Sequence, residues 1–150
     1  MCSSDLDGGL LTITMNRPDR RIALNPDMTR GLVEAARRAA EVHAVRAVLL
    51  KGAGGTFCVG GDVRGFAADP DASLSALADD FHSCQRLILG LAVPVVIGVQ
   101  GWAAGIGLSL VLTGDVIVLG EGARLRPAYP AIGLTPDGGR VTVRGGVRIG

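Results

Sequence analysis

The sequence predicts an α/β domain with a mostly parallel β-sheet. Segments typical of strands alternate with loops and helical segments, which is the order that builds a parallel sheet covered by helices. Residues 45–50 are nearly all apolar, as expected of a strand covered on both faces. With 150 residues and neither a linker nor a low-complexity segment, the chain has the size of one domain.

The first part of the chain is predicted to hold two strands around one helix. Leu10–Met15 alternates apolar and polar residues and includes β-branched side chains, which indicates a strand. Asn25 is placed as a helix N-cap with Pro26 at the first helical position, and apolar residues at helical spacing follow. Residues 45–50 form the second strand and lead into a glycine-rich loop over 52–61.

Further elements follow the first glycine-rich loop. The spacing predicts a short helix over 62–66 capped by Asp62, a mobile loop over 67–72 and a long helix over 73–91. The remaining segments are a strand over 94–99, a second glycine-rich turn over 101–107, a helix over 108–113 and a strand over 115–119.

Composition excludes several functional classes. Fifteen basic residues against 14 acidic ones leave a net charge of +1, which argues against a surface for nucleic acid. Aromatic residues make up only 3% of the chain, too few for a base-stacking platform. The three cysteines have no metal-site spacing and are an odd number, which favours a reduced, cytoplasmic protein with no metal site.

Residues 1–6 are predicted to lie outside the native domain. They have neither the basic region nor the apolar core of a signal peptide. They can be encoded by a nucleotide sequence that matches a common sequencing-adapter end, so we expect a non-native addition followed by a core domain over 7–150. The alternative is an ordinary polar N-terminus.

The uncharged stretch over 87–114 is long enough to suggest a membrane span. It contains Pro94, Gln100 and six glycines, which divide it into a helix end, a strand, a turn and a second helix. A buried α/β core therefore explains it better than a bilayer.

Two glycine-rich loops are the candidates for chemistry, because each places glycines immediately before a predicted short helix. Gly60 and Gly61 precede residues 62–66, and Gly105-Ile106-Gly107 precedes the predicted helix over 108–113. The first backbone N–H groups of a helix have no internal partner, and two such groups aimed at one point would form an oxyanion hole. The alternative for either loop is a plain tight turn.

Four motifs together resemble the enoyl-CoA hydratase/isomerase (crotonase) superfamily. They are Asn16-Arg-Pro18 with Ala23-Leu24, then Phe57-Cys-Val-Gly-Gly-Asp62, then the segment over 94–115, and finally Ile132-Gly-Leu-Thr-Pro-Asp-Gly-Gly139. The resemblance covers about residues 10–139 in the family's order and spacing. Four motifs in register identify the superfamily much more firmly than they identify one reaction.

The resemblance implies a spiral of strand–strand–helix turns that binds an acyl-CoA thioester. In this family the thioester oxygen lies between two backbone N–H groups, which fall here on Gly61 and Ile106. It also implies trimers or hexamers for the full-length protein, and no cofactor beyond the coenzyme A of the substrate. The residues implied to contact the substrate or its coenzyme A are Arg21, Ala23, Val59, Asp62, Val63, Gly105, Ser109 and Tyr129. For Arg21, a solvated surface charge is the alternative.

The chain departs from the hydratases of this family at their two catalytic glutamates. By alignment these positions hold Ser109 and Tyr129, neither of which is a carboxylate base at neutral pH. Asp137 occupies a position where some isomerases of the family carry their working aspartate, and a helix N-cap is its alternative role. Ile106 stands where a small residue is usual, so its side chain could narrow the acyl pocket.

Other reactive side chains receive structural interpretations. We expect His82 to be a surface or core histidine and Asp115 to be a structural partner at a helix end. We expect Cys58 to be a small buried packing residue. Residues 140–150 depart from the family pattern, which continues into a further helical region. We therefore expect a truncated core without that region and with exposed apolar surface.

The favoured activity is an isomerase; the alternatives are an enoyl-CoA hydratase and an inactive CoA-binding homologue.

Overall fold

In the computed structural model, the described residues, 1–62, 64 and 70–127, form seven strands, three α-helices and a 3-10 helix over Pro18–Arg20. In chain order the strands and α-helices are β1 (Cys2–Asp7), β2 (Leu10–Met15), α1 (Pro26–Glu41), β3 (Ala47–Gly52), α2 (Pro70–Leu89), β4 (Val95–Val99), β5 (Trp102–Ala104), α3 (Ile106–Val111), β6 (Val116–Leu119) and β7 (Arg124–Arg126).

The principal sheet has the strand order β1-β2-β3-β4-β6, and the pairs from β2 onwards are parallel. This confirms the predicted α/β class and the mostly parallel sheet. The alternating side chains of β2 and β4 bury one face of the sheet, and Leu11, Ile13, Val95 and Ile97 are each at most 2% exposed. A second, two-stranded sheet joins β5 and β7 in parallel.

The N-terminal segment forms a strand in the structure, and whether residues 1–6 are native stays a prediction, because strand pairing does not report where a segment comes from. Strand β1 pairs antiparallel with β2 over its whole length, from Cys2 opposite Met15 to Asp7 opposite Leu10. Strand pairing uses backbone groups and so tolerates a polar sequence. Leu6 and Cys2 also pack against the core on the inward face of β1.

Helix α1 follows the sequence signals for its start. The Asn25 side chain accepts a hydrogen bond from the Met28 N–H at 2.9 Å, and Pro26 occupies the first turn. Its buried face is made of small and apolar residues that pack against β1, β2 and α2. These buried residues are Met28, Thr29, Leu32, Ala35, Ala36 and Ala39.

Helix α2 begins at Pro70, three residues before the predicted start, so the predicted loop over 67–72 is wrong for its last three residues. Proline has a fixed φ suited to the first helical position, which the loop interpretation overlooked. Residues 67–69 lie outside the described part of the chain. Of the predicted helix over 62–66 the structure describes only Asp62, which is not helical, and Arg64, which has 3-10 geometry.

The glycine-rich segment over 101–107 is not only a turn. It contains strand β5, which pairs with β7, and neither strand was predicted because each has only three residues. The uncharged stretch over 87–114 does divide into a helix end, strands and a second helix, as expected. Within the described residues, none of the helices has the length and apolarity needed to span a bilayer.

Candidate active site

The two glycine-rich loops of the sequence meet through the backbone of Cys58. The Cys58 N–H donates to the Trp102 carbonyl at 2.9 Å, and the Ala104 N–H donates to the Cys58 carbonyl at 2.9 Å. This isolated parallel bridge fastens the loop that follows β3 to strand β5. It therefore holds the residues that follow Cys58 beside the residues that begin α3.

Gly107 allows the start of α3 to lie directly on this loop. A Cβ on Gly107 would overlap the Cys58 carbonyl oxygen and would stand 2.8 Å from the Cys58 Cβ. Any side chain at Gly107 would push the first turn of α3 off the loop. Gly105, which precedes the helix, has a φ of 55°, a conformation that glycine adopts readily.

The backbone around Gly61 leaves its N–H outside the strand-like pairing. The Leu24 N–H donates to the Gly60 carbonyl and the Asp62 N–H donates to the Leu24 carbonyl, both at 2.8 Å. Because the bonded groups belong to the neighbours of Gly61, its own N–H points away from Leu24. Among the described residues no acceptor receives that N–H.

The Ile106 N–H is the second donor of the candidate site. Ile106 is the first residue of α3, so no preceding helical turn supplies an acceptor, and none is found in the described part of the chain. The Ile106 Cδ1 lies 3.8 Å from the place a Cβ on Gly61 would occupy, and the Leu77 Cδ2 lies 3.3 Å from it. The structure therefore brings Gly61 and Ile106 together beneath an apolar side chain from α2.

The residues implied to contact coenzyme A occupy different environments. Arg21 is exposed, Ala23 is buried and Val59 is half-buried. The Asp62 carboxylate pairs with the guanidinium of Arg17 at 2.8 Å, and its expected role as a helix cap stays a prediction because the helix falls mostly outside the described residues. Val63, Tyr129 and Asp137 lie outside the described residues.

Arg17 is the residue at this site that the sequence analysis treated only as part of a motif. Its Nη1 donates to the Ala23 carbonyl at 2.9 Å while its Nη2 contacts Asp62. The side chains of Arg17 and Asp62 are only 18% and 15% exposed. No sequence signal could have found this pair, because Arg17 and Asp62 are far apart in the chain and only the fold brings them together.

The turn that carries Arg21 is conformationally strained. Arg21 and Ile22 have φ values of 50° and 57°, in the left-handed region that residues other than glycine avoid. Ile22 is β-branched and fully buried, which makes its conformation the less expected of the two. Such residues cost about 1–3 kcal/mol each, and they persist only where surrounding contacts hold them in place.

Ser109 and Cys58 supply neither a carboxylate nor a thiolate at neutral pH. Ser109 is 3% exposed and its carbonyl accepts a hydrogen bond from the Gln85 side chain at 3.3 Å. Burial raises the pKa of the Cys58 thiol to about 12, so it stays protonated. This agrees with the interpretation of Cys58 as a packing residue.

His82 and Asp115 lie in different parts of the fold. The ring of His82, half-buried on α2, has its centroid 6.3 Å from that of Phe81. Asp115 is a structural partner, as expected, but of a strand: its Oδ2 accepts the Val95 N–H at 2.8 Å at the start of β4.

Comparison with known proteins places similar sequences in one family. The family model described as enoyl-CoA hydratase/isomerase matches residues 5–144. The 1,2-epoxyphenylacetyl-CoA isomerase of Escherichia coli (strain K12) is 34% identical over 140 residues, which are 91% of this chain and 53% of that protein. The trans-2-decenoyl-[acyl-carrier-protein] isomerase of Streptococcus mutans is 28% identical over 139 residues, or 90% of this chain and 53% of that protein.

Solved structures agree with the family match. The crystal structure of an enoyl-CoA hydratase from Mycobacterium avium subsp. paratuberculosis K-10 has a TM-score of 0.83 and 35% identity, covering 92% of this chain and 54% of that one. One from Polaromonas sp. JS666 has a TM-score of 0.83 and 31% identity, covering 91% and 55%. The chain thus spans about half the length of the relatives it matches.

Substitution of Gly107 tests the close approach of the two loops. We expect Gly107→Ala to destabilise the fold by about 1–3 kcal/mol, because the added Cβ displaces backbone, even though alanine favours helices. Gly98→Ala is the control, since a Cβ there meets only the Leu49 Cδ1 at 3.8 Å, and we expect it to be neutral or mildly stabilising. Urea unfolding midpoints measure both. Equal effects of the two substitutions would contradict the close approach.

Substitution of Arg21 tests the strained turn. We expect Arg21→Gly to stabilise the protein by about 0.5–1 kcal/mol, because relief of the left-handed conformation exceeds the entropic cost of glycine. Arg20→Gly is the control: Arg20 is an exposed neighbour without a positive φ, so its replacement should destabilise by about 0.5–1 kcal/mol. Thermal unfolding distinguishes the two signs, and destabilisation by Arg21→Gly would refute the strain.

Proposed function

The chain belongs to the enoyl-CoA hydratase/isomerase family, and we propose that it carries the oxyanion hole and the acid/base aspartate of an enoyl-CoA isomerase. In this proposal the N–H groups of Gly61 and Ile106 donate to the oxygen of an acyl-CoA thioester. Asp137 moves a proton between two carbons of the acyl chain. Coenzyme A enters as part of the substrate, and no separate cofactor takes part.

One observation carries the proposal. Gly61 and Ile106 lie side by side, and within the described residues neither backbone N–H has an acceptor. Backbone donors held by a rigid fold need little reorganisation when negative charge develops on an oxygen between them. A thioester oxygen becomes negatively charged when a proton leaves the neighbouring carbon, so this pair suits chemistry that passes through an enolate.

Asp137 completes the proposed reaction. Its carboxylate removes a proton from one carbon of the acyl chain, and the electron pair left behind moves into the enolate. The protonated Asp137 then returns the proton two carbons away, so the double bond shifts and no atom is gained or lost. General acid–base catalysis of this kind contributes about 10²–10⁴-fold to a rate.

One observation favours isomerisation over hydration. By alignment, the positions of the hydratases' glutamates hold Ser109 and Tyr129, neither of which has a carboxylate. The names of the relatives are divided: the E. coli relative at 34% identity is named as an isomerase, and relatives at 35% and 36% identity are named as probable enoyl-CoA hydratases. Hydration is therefore the second candidate, supported also by the structural relatives that are named as enoyl-CoA hydratases.

The remaining contacts of the proposal concern coenzyme A. Arg21, Ala23, Val59, Asp62 and Val63 are proposed to line its path, and Gly105, Ser109 and Tyr129 the acyl end. Asp62 takes part through its backbone, because its carboxylate is already paired with Arg17. The trimeric or hexameric assembly of the full-length protein and its cytoplasmic localisation stay predictions.

Replacement of Asp137 tests the acid/base assignment. We expect Asp137→Asn to lower the rate of double-bond migration in a 3-enoyl-CoA by about 10²–10⁴-fold, because the amide cannot accept the proton. Affinity for the CoA thioester should change little. The measurement is single-turnover conversion followed spectroscopically, with calorimetric titration of the thioester as the control.

The alternatives give different results in the same assay. Hydration of a 2-enoyl-CoA that survives Asp137→Asn would refute the assignment and favour the hydratase. Thioester binding without turnover in either protein would identify a CoA-binding homologue.

Removal of one donor tests the oxyanion hole. Gly61→Pro deletes the N–H without breaking a hydrogen bond in the described fold, since the bridge to Leu24 uses Gly60 and Asp62. We expect turnover to fall about 10²–10³-fold, equivalent to about 2.7–4 kcal/mol. Gly61→Ala, whose Cβ meets only the flexible ends of Leu77 and Ile106, keeps the donor and should lose far less. Equal losses in two folded variants would contradict the role of this N–H.

A further inference from the structure

The guanidinium of Arg17 joins two segments that are distant in sequence and meet at the candidate site. Its two terminal nitrogens contact different segments, the Ala23 carbonyl at 2.9 Å and the Asp62 carboxylate at 2.8 Å. Both side chains of the ion pair are largely shielded from water, at 18% and 15% exposure. The contact is therefore far less screened than an exposed ion pair.

The two residues that Arg17 contacts flank the bridge that orients Gly61. Ala23 immediately precedes Leu24, and Asp62 immediately follows Gly61, while Leu24 is bonded to the backbone on both sides of Gly61. A shift of either segment would tilt the peptide that carries the Gly61 N–H. The Arg17 side chain thus links the residue beside Leu24 to the residue beside Gly61, next to the bridge between these two segments.

The backbone of Arg17 also holds the strained turn that immediately precedes Ala23. Its carbonyl accepts the N–H groups of Arg20 at 3.1 Å and of Ile22 at 3.0 Å. Ile22 adopts its positive φ within this set of bonds. Arg17 therefore binds the turn through its backbone carbonyl and binds Ala23, at the end of the turn, through its side chain.

We propose that Arg17 is a positioning residue that aims the Gly61 N–H by clamping Ala23 to Asp62. The inference deepens the proposed function and rests on it for the use of that N–H. The planar fork of arginine satisfies two separate oxygens at once, whereas the flexible ammonium of lysine keeps the charge without the fork. Arg17→Lys therefore separates geometry from charge.

Amide hydrogen exchange tests the clamp without any need for turnover. In Arg17→Lys we expect exchange at the Leu24 and Asp62 amides to accelerate at least about tenfold, because these two bonds form the clamped bridge. The amides of Cys58 and Ala104, bonded in the neighbouring bridge, serve as internal references and should change little. Asp62→Asn is the second variant and should show the same local pattern.

Arg30→Lys is the matched control, since Arg30 forms an exposed ion pair with Asp27 inside helix α1. It should leave all four amides unchanged. Acceleration at all four amides in Arg17→Lys would mean a general loss of stability and would overturn the proposal. Unchanged exchange at Leu24 and Asp62 would overturn it equally.

A spectroscopic readout connects the clamp to the donor. An arylacryloyl-CoA thioester absorbs at longer wavelength when its carbonyl oxygen accepts hydrogen bonds, so its band reports the aim of the donors. We expect the wild-type protein to shift the band and Arg17→Lys to lose at least half of the shift, with affinity altered less than about threefold. An undiminished shift in Arg17→Lys would overturn the proposal.

The two readouts separate this inference from the proposed function. Binding of the probe to the wild-type protein without a band shift would refute the oxyanion hole. The exchange pattern at Leu24 and Asp62 would still decide whether Arg17 positions the Gly61 peptide.

Discussion

The structure of the site depends on the backbone-to-backbone approach of α3 to the loop at Cys58. Because Gly107 has no side chain, the first turn of α3 lies on the Cys58 carbonyl, and the bridge from Cys58 to β5 fixes the loop in the same place. Gly61 and Ile106, which belong to different segments of the chain, thereby become neighbours. Donors supplied by the backbone tolerate changes of side chain, so isoleucine at 106 is compatible with a role for its N–H.

A second constraint acts from the opposite side of the loop. The turn over residues 20–23 contains two consecutive left-handed residues, and three of the hydrogen bonds that hold it involve Arg17. The guanidinium of the same residue reaches Asp62, so Arg17 contacts the strained turn through its backbone carbonyl and the segment beside Gly61 through its side chain. Strain confined to a segment beside an unsatisfied donor is typical of functional sites rather than of scaffolds.

The sequence predicted the elements whose signals are local. The alternation of Leu10–Met15 and the Asn25-Pro26 start of α1 both appear in the structure as predicted. Strands β5 and β7 were missed because three residues carry no periodicity, and β1 was missed because residues 1–6 were interpreted as a non-native addition. The meeting of Gly61 with Ile106 was implied by a family resemblance. The Arg17–Asp62 pair was not foreseen, because no local pattern links residues 45 positions apart.

The most direct test of the account follows the amide signals of Gly61 and Ile106 by NMR during titration with a saturated acyl-CoA. The account predicts that both amide protons move downfield together and saturate with one affinity, because one thioester oxygen accepts both. Coenzyme A without the acyl group should leave these two signals nearly unmoved. Saturable binding of the acyl-CoA that shifts other amides while Gly61 and Ile106 stay in place would contradict the account.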